Sequence, residues 1–407
     1  MRIDSAKHPW MTAPETRRLL AALGEGRFVG GAVRNALLGI PVTDIDIAVP
    51  MPPEEVVKRL EKAEIKFVAT GWDHGTVTAI LSGQPFEVTS LRRDVETDGR
   101  HAIVAFTDDW EEDSTRRDFT MNALYAGADG EIFDYHGGIP DLIAGRVRFV
   151  GDASARIRED YLRLLRLFRF HACYGKGEMD AGALRAAAAA KQGLDQLSGE
   201  RIAKELLRLL ECSNPVPALR MMAASGILSE LLPYALRLPR LEQLVGIETD
   251  NRFQPDALLR LAALLPDDAD AAREVAERLK LSNVERARLE ALALPGDKIA
   301  PQLSAAEVRR LLYRIGSPRF RDLVLLSWAA SPRGPAMHWR MLLSIADGWE
   351  RPRFPLTGHE AMAAGVAEGP EVGRLLSLVE AWWLDKDFAP DHAQLIEKLK
   401  SLIGAAS

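Results

Sequence analysis

The sequence predicts an α+β protein, with a mixed β-sheet head at the N-terminus and an all-helical remainder. Up to about residue 150, short runs rich in β-branched and aromatic residues alternate in polarity between Gly and Asp turns. Beyond that point apolar residues recur at helical spacing, on one face of each segment. With 407 residues, 47% of them hydrophobic and 27% charged, the chain is long enough to build more than one core.

Taken in order, "FVGG", "DIDIAV", "KFVAT", "TVTAIL", "FEVTSL", "IVAFT", "EIFDY" and "RVRFVG" read as strands. "FVGGAVRNALLG" reads as strand, tight turn and helix, with Gly39 ending the helix. "RRDFTMNAL" reads as a turn in which Asp118 caps a following helix. "SARIREDYLRLLRLFRFHACY", "AGALRAAAAAKQGLDQL", "GERIAKELLRLLEC" and "PVPALRMMAASGILSELLP" read as helices, with breaks near 151–152, 213–217 and 294–302 where Pro, Gly or Asn cluster.

Composition narrows the class. The two cysteines, Cys173 and Cys212, are too few for a disulfide scaffold and suit a reducing interior, and no Cys or His spacing matches a zinc site. The opening residues lack a secretory pattern and no apolar stretch is long enough for a bilayer, so a cytoplasmic protein without membrane contact is expected. The net charge of −6 argues against strong nucleic-acid binding by the chain as a whole. Locally the balance reverses. Arg146, Arg148, Arg156, Arg158, Arg163, Arg166 and Arg169 outnumber Asp152, Glu159 and Asp160, which gives a polyanion a place to dock.

In "TDIDIAV" the two-residue strand period sends Asp44 and Asp46 to one face and Ile45 and Ile47 to the other. Side by side, the carboxylates repel unless they are solvated or bridged by a divalent cation. Such a pair alone is equally two acids on a wet strand face. Gly30 and Gly31 let the backbone come close to a ligand, amides at a helix start favour phosphate, and Arg34 lies one turn in. An anion cradle and a carboxylate pair so near in sequence together suit a magnesium-bound triphosphate.

The residues "GGAVR" and "DID" resemble the signature of the DNA polymerase β nucleotidyltransferase superfamily, in its class II tRNA nucleotidyltransferase and bacterial poly(A) polymerase branch. "RRDFTMNAL", "FDYHGGIPDLIAGRVRFVGD", "REDYLRLLRLFRF" and "GERIAKELLRLL" follow in that family's order and extend the resemblance over about the first 210 residues. It is weaker in the tail, resting on "LTGHEAMAAGVAEGPEVGRLL". One departure is Asn35, where the family usually has Asp.

The resemblance implies a nucleotidyltransferase head over 1–151, a helical neck over 152–215, an RNA-binding body over 216–295 and a tRNA-binding tail over 296–407. It implies that Asp44 and Asp46 hold two Mg²⁺ ions, one acidifying an RNA 3′-hydroxyl and one gripping the triphosphate, so that the hydroxyl attacks the α-phosphorus and pyrophosphate leaves. Glu87, on the polar face of "FEVTSL" opposite Phe86 and Val88, is the candidate third carboxylate, although a solvated strand glutamate reads the same way. By the same resemblance Arg117 reaches the nucleotide phosphate or sugar, and Asp118 fixes the ribose side.

On "EDYLRLLRLFRF" helical spacing gathers Tyr161, Leu164, Leu165 and Phe168 on one side, with Asp160, Arg163, Arg166 and Arg169 on the other. Alone this is an amphipathic helix. The resemblance makes Asp160 and Arg163 base readers: a carboxylate only accepts and a guanidinium only donates, which matches the amine and ring nitrogen shared by C and A and mismatches U and G. Arg166 and Arg169 take triphosphate or helix-packing roles.

"LRRDVETDGRHAIVAFTDDWEEDST" supplies a hairpin-like loop with a turn at Asp98, Gly99 and Arg100, and the resemblance associates a complete loop with full CCA synthesis. The expected substrates are CTP, ATP and the tRNA 3′ end, with no obligate protein partner evident. A poly(A) polymerase or a CC- or A-adding enzyme is the alternative within the family, and a catalytically silent RNA-binding protein is the alternative outside it. "EVRRLLYRIGSPRFRDL" offers Arg309, Arg310, Arg314, Arg319 and Arg321 as phosphate contacts or as an ordinary solvated face.

Overall fold

In the computed structural model every residue is described except 73–74, 99–100, 235, 295–298, 332–333 and 407. Gly99 and Arg100 of the expected loop turn therefore lie outside the described residues. The chain forms two compact units, Met1–Tyr234 with Arg278–Lys280, and Ala235–Glu277 with Leu281–Ser407.

The first unit begins with α1 (Pro14–Leu23), β1 (Arg27–Val29), α2 (Gly31–Leu38), β2 (Asp46–Val49), α3 (Pro53–Lys62), β3 (Lys66–Gly71), β4 (Thr76–Leu81) and β5 (Gln84–Ser90). β6 (Arg92–Asp98), β7 (His101–Phe106), α4 (Trp110–Thr115), β8 (Leu124–Ala126), β9 (Ile132–Asp134) and α5 (Gly138–Ala144) complete the head. Its sheet runs β3-β4-β5-β2-β1-β8-β9. β2 and β5 pair in parallel and the other neighbours are antiparallel, so the sheet is mixed as expected. β6 and β7 form a separate hairpin.

Polarity alternation builds the outer strands. On β4, Val77, Ala79 and Leu81 point inward, and on β5 Phe86 and Val88 do so while Glu87 stays exposed. Central β2 instead buries Ile47, Ala48 and Val49 in succession, because both of its faces are covered beyond Asp46.

Two strand assignments need correction. "RVRFVG" is not a strand: it touches the chain through one bridge, Phe119 to Phe149, flanked by Thr120 N–H donating to the Arg148 carbonyl and Val150 N–H to that of Asp118. β8, hidden in "NALYA", is a strand although its residues are all buried and carry no alternation. The helix expected after Asp118 is a single tight turn, Thr120–Asn122, leading straight into β8. Asp118 does not cap it in the expected way; its carboxylate accepts the Phe119 amide at 2.8 Å and the Asn122 side chain at 3.1 Å.

Helices α6 (Ala153–Glu159), α7 (Leu162–Tyr174), α8 (Ala181–Ala189), α9 (Gly199–Glu211), α10 (Val216–Ala224) and α11 (Ile227–Leu231) follow. The run read as one helix from Ser154 is broken at Asp160, whose backbone is extended (φ −155°, ψ 108°) and whose side chain accepts the Leu162 amide at 3.1 Å. A short carboxylate satisfying a nearby amide competes with helix continuation and restarts the chain as α7. Leu164, Leu165 and Phe168 are buried as the spacing predicts, and α7 packs on α9. That packing brings the cysteines together: Cys173 on α7 and Cys212 just after α9 form a disulfide with Cα atoms 5.1 Å apart. The expectation of two reduced thiols is corrected, since their 39-residue separation in sequence concealed a neighbour relation between the C-terminal ends of two helices packed side by side.

The second unit is helical: α12 (Leu238–Asn251), α13 (Ala257–Leu264), α14 (Ala269–Arg278), α15 (Asn283–Leu292), α16 (Ala305–Ile315), α17 (Ser317–Ala330), α18 (Ala336–Asp347), α19 (Gly358–Ala363), α20 (Pro370–Asp385) and α21 (His392–Ala406). Ser282 with Glu285, Ser304 with Glu307 and Thr357 with Glu360 form capping boxes that start α15, α16 and α19. Tyr313, Leu375, Val379, Trp383, Leu395 and Leu399 form its C-terminal core. Among the described residues no helix is long and apolar enough to cross a membrane.

Phe168, at the middle of α7, is fully buried. Phe168→Ala is expected to cost about 3–5 kcal/mol in urea unfolding, against about 1 kcal/mol for loss of the Ser304 cap.

Candidate active site

Strand β1 ends in a turn that only glycine enters without strain: Gly30 has φ +65° and donates its amide to the Leu124 carbonyl at 3.2 Å. The chain then enters α2, which ends at left-handed Gly39 as expected. Next to β1 in the sheet, β2 carries Asp46 at its first position, in parallel register with Glu87 of β5. Asp44 lies just ahead of β2 and is exposed, while Ile45 and Ile47 are buried, so the predicted split of acids and isoleucines holds. Burial first, then Glu87 and Asp44, push the Asp46 carboxyl up to about 6, with Arg117 opposing. Like-charged oxygens crowded in this way fit a divalent cation, which would relieve their repulsion. Among the described residues no group of three or more Asp, Glu, His or Cys side chains already converges as a closed metal cage.

The arginines divide by partner. Arg117 donates Nε to the Tyr125 hydroxyl at 3.0 Å and one amino group to Asp113 at 3.1 Å. Its other amino nitrogen, Nη1, is within 3.8 Å of where a Cβ on Gly30 would stand. Arg34 is buried, and burial lowers its pKa. Its nitrogens donate to the side-chain oxygens of Asn35 (2.9 and 3.2 Å) and Asn122 (2.6 Å) and to the Tyr174 hydroxyl (2.9 Å), all neutral acceptors. A buried guanidinium so held keeps its charge available to an incoming anion. Asn35, whose role the sequence left open, is thus a neutral clamp on Arg34.

Around α7 the charges interlock. Arg166 pairs with Asp118 at 2.5 Å and with Glu205 of α9 at 3.6 Å, and Arg169 pairs with Glu205 at 2.5 Å. Burial would raise the Asp118 carboxyl, but Arg166 and the Asn122 bond hold it below its ordinary range. These contacts tie Arg166 and Arg169 to Asp118 and Glu205. Asp160 accepts from Arg201 at 2.7 Å, and Arg163 donates Nη1 to Glu159 and to the Arg156 carbonyl. Among the described residues Arg163 Nε and Nη2 have no partner and remain able to donate.

Gly30, Gly31, Arg34, Asp44, Asp46, Glu87, Arg117 and Asp118 thus gather along one edge of the head, and Asp160, Arg163, Arg166 and Arg169 come from the α6–α7 joint and α7 of the same unit. Sequence reasoning missed Asn122, Glu159, Arg201 and Glu205, all inside or next to motifs it had marked, and Asp113 and Tyr125, which flank one. The basic stretch 146–170 is largely neutralised: Arg146 and Arg148 bond Asp141, and Arg156 bonds Glu159. In the tail Arg309, Arg310 and Arg321 pair with Asp387, Asp385 and Asp347, and Arg319 donates to the Ala291 carbonyl. Among the described residues exposed Arg314 has no such partner.

Residues 26–148 match the family described as the poly(A) polymerase head domain, and residues 178–237 the one described as a probable RNA and SrmB-binding site of polymerase A. The chain is 34% identical to the mouse mitochondrial CCA tRNA nucleotidyltransferase 1, covering 92% of this chain and 86% of that protein. It is 30% identical to the CCA-adding enzyme of Latilactobacillus sakei, covering 90% and 91%. The crystal structure of the Bacillus stearothermophilus CCA-adding enzyme in complex with CTP shares its fold, with a TM-score of 0.76 at 24% identity over 97% of this chain and 99% of that one.

Because folding raises the Asp46 pKa, the native state binds more protons than the unfolded chain between the ordinary carboxyl value and about 6, and this group's contribution to stability falls as pH rises through that window. Without divalent cations, Asp46→Asn is therefore expected to stabilise the fold at pH 7.5 by on the order of 1 kcal/mol, and not at pH 4. Thermal unfolding with and without MgCl₂ checks the coupled outcome, a cation-induced rise in Tm for the wild type that shrinks from pH 7.5 to pH 5.

Proposed function

The chain belongs to the family of CCA tRNA nucleotidyltransferases, and from that premise we propose that it adds C, C and A in turn to the 3′ end of tRNA, using CTP and ATP and releasing pyrophosphate. The observation that carries the reading to these residues is the parallel register of Asp46 with Glu87, one strand away from the Gly30 turn and within the field of Arg117.

The Gly30–Gly31 backbone, Arg34 and the free nitrogen of Arg117 receive the triphosphate, an arrangement that neutralises charge without moving the chain. Asp44 and Asp46, with Glu87 beside them, would hold Mg²⁺, which when bound would supply charge neutralisation at the phosphates and a lowered pKa for the RNA 3′-hydroxyl. Held in line, the 3′-oxygen bonds the α-phosphorus as the bond to the β-phosphate oxygen breaks. Asp118, fixed by Asn122 and Arg166, holds the sugar side.

Asp160 and Arg163 read the base. The carboxylate takes the exocyclic amine of C or A, and the free guanidinium nitrogens donate to the ring nitrogen. U and G would leave both groups mispaired, a penalty that buried polar sites turn into discrimination. Residues 216–295 and 296–407 carry the tRNA, with Arg314 free for a phosphate. The cytoplasm, where tRNA and nucleoside triphosphates meet, is the proposed place of action.

Purified protein incubated with Mg²⁺ and tRNA lacking CCA is expected to add C residues from CTP alone and to complete CCA from CTP with ATP; a poly(A) ladder from ATP alone would assign it to the polymerase branch. Asp44→Ala is expected to abolish every addition, by roughly 1,000-fold or more. Asp160→Ala should relax base choice more than it slows transfer, and equal modest losses from both variants would refute the division of labour.

A further inference from the structure

Arg117 owes its orientation to a residue to which the sequence reading gave no role. Asp113, on α4, has a side chain only 1% exposed, and its two oxygens serve different parts of the head. Oδ2 accepts Arg117 Nη2 at 3.1 Å and the Tyr125 hydroxyl at 2.6 Å, and that hydroxyl accepts Arg117 Nε at 3.0 Å. The guanidinium is thereby gripped on two of its three nitrogens, and Nη1 is left toward the Gly30 turn. Oδ1 accepts Arg116 Nε at 2.9 Å and the backbone amide of Arg92 at 3.1 Å. Arg92 is the first residue of β6, so the carboxylate that holds the arginine also holds the root of the β6–β7 hairpin. Burial would raise the Asp113 carboxyl, but Arg117, then Arg116, the Tyr125 hydroxyl and the Arg92 amide keep it down at about 2, so it stays ionised across the working range.

We propose that Asp113 is a positioning residue for nucleotidyl transfer, acting with Tyr125 to aim Arg117 and to tie that aim to the seating of the β6–β7 hairpin. The proposal rests on the nucleotide contact assigned above to Arg117. A carboxylate is required because every partner is a donor; an amide at this position would turn an N–H group toward another N–H or the phenol. Tyr125 contributes a relay that its ring alone cannot. Its side chain is fully buried and packs edge-on against Trp110, so Tyr125→Phe removes the hydroxyl and keeps the packing.

The test is a kinetic cycle on full-length protein with tRNA lacking CCA. Asp113→Asn and Tyr125→Phe are each expected to lower kcat/KM for nucleotide roughly 10- to 100-fold with KM for tRNA unchanged. In an Arg117→Ala background neither should cause further loss, because their effect passes through Arg117. Hydrogen exchange at the Arg92 amide should accelerate in Asp113→Asn and stay at the wild-type rate in Arg117→Ala. Wild-type kinetics in Tyr125→Phe, or losses that multiply in the double variants, overturn the proposal. Should Asp113→Asn fail to fold, Tyr125→Phe with its double variant decides the question alone. Wild-type activity in Arg117→Ala would instead sink the reading of the site itself.

Discussion

The ion pair between Asp118 and Arg166 is the joint on which the geometry of the first unit rests. Asp118 closes the turn into β8, and Arg166 projects from α7. Both ends are secured again: Asn122 bonds Asp118 and also accepts from Arg34 beside the glycine turn, while Glu205 reaches Arg166 and Arg169 from α9. Stranding one partner of a buried pair costs about 3–5 kcal/mol. The central strands that carry the acids and the helix proposed to choose the base are therefore tied together by charge as well as by the chain.

Within that frame, identical side chains have been given opposite chemistry by their neighbours. Asp113 and Asp118 face guanidinium groups and stay ionised, whereas Asp46 faces Glu87 and Asp44 and is held near 6. The first two are structural anions; the third is a carboxylate short of a cation. The arginines mirror this division. Arg166 and Arg169 are consumed by carboxylates, Arg34 is held by neutral oxygens, and Arg117 keeps one nitrogen clear beside the turn. Charge available to a substrate is a small remainder of the charge in the sequence.

That remainder explains where reading the sequence fell short. Seven arginines between 146 and 170 look like a docking surface, yet Asp141, Glu159, Asp118 and Glu205 absorb most of them, and three of those acids come from other segments. The break at Asp160 was invisible because helical periodicity continues through it; a side-chain bond to the Leu162 amide stops the helix without disturbing the pattern. "RVRFVG" alternates like a strand but finds only Phe119 to pair with, and buried β8 lacks the alternation by which strands are found. For Asp113 the local signal is only the spacing to Arg116 and Arg117, since the donors that define its role also come from β6 and β8.

The sequence by itself determined what is local: the glycine turn and its helix, the split of Asp44 and Asp46 from Ile45 and Ile47, the exposure of Glu87 between buried Phe86 and Val88, and the order of motifs that marks the family. These follow from backbone periods and from residues whose conformational range is narrow, and both act within a few positions. Only the tertiary structure decided which carboxylate meets which arginine, whether two cysteines 39 residues apart bond, and that Asn35 clamps Arg34. Some of these partners are distant in the chain and others, like Asn35 and Arg34, are neighbours, but in either case the geometry depends on distance and burial, quantities that exist only after folding.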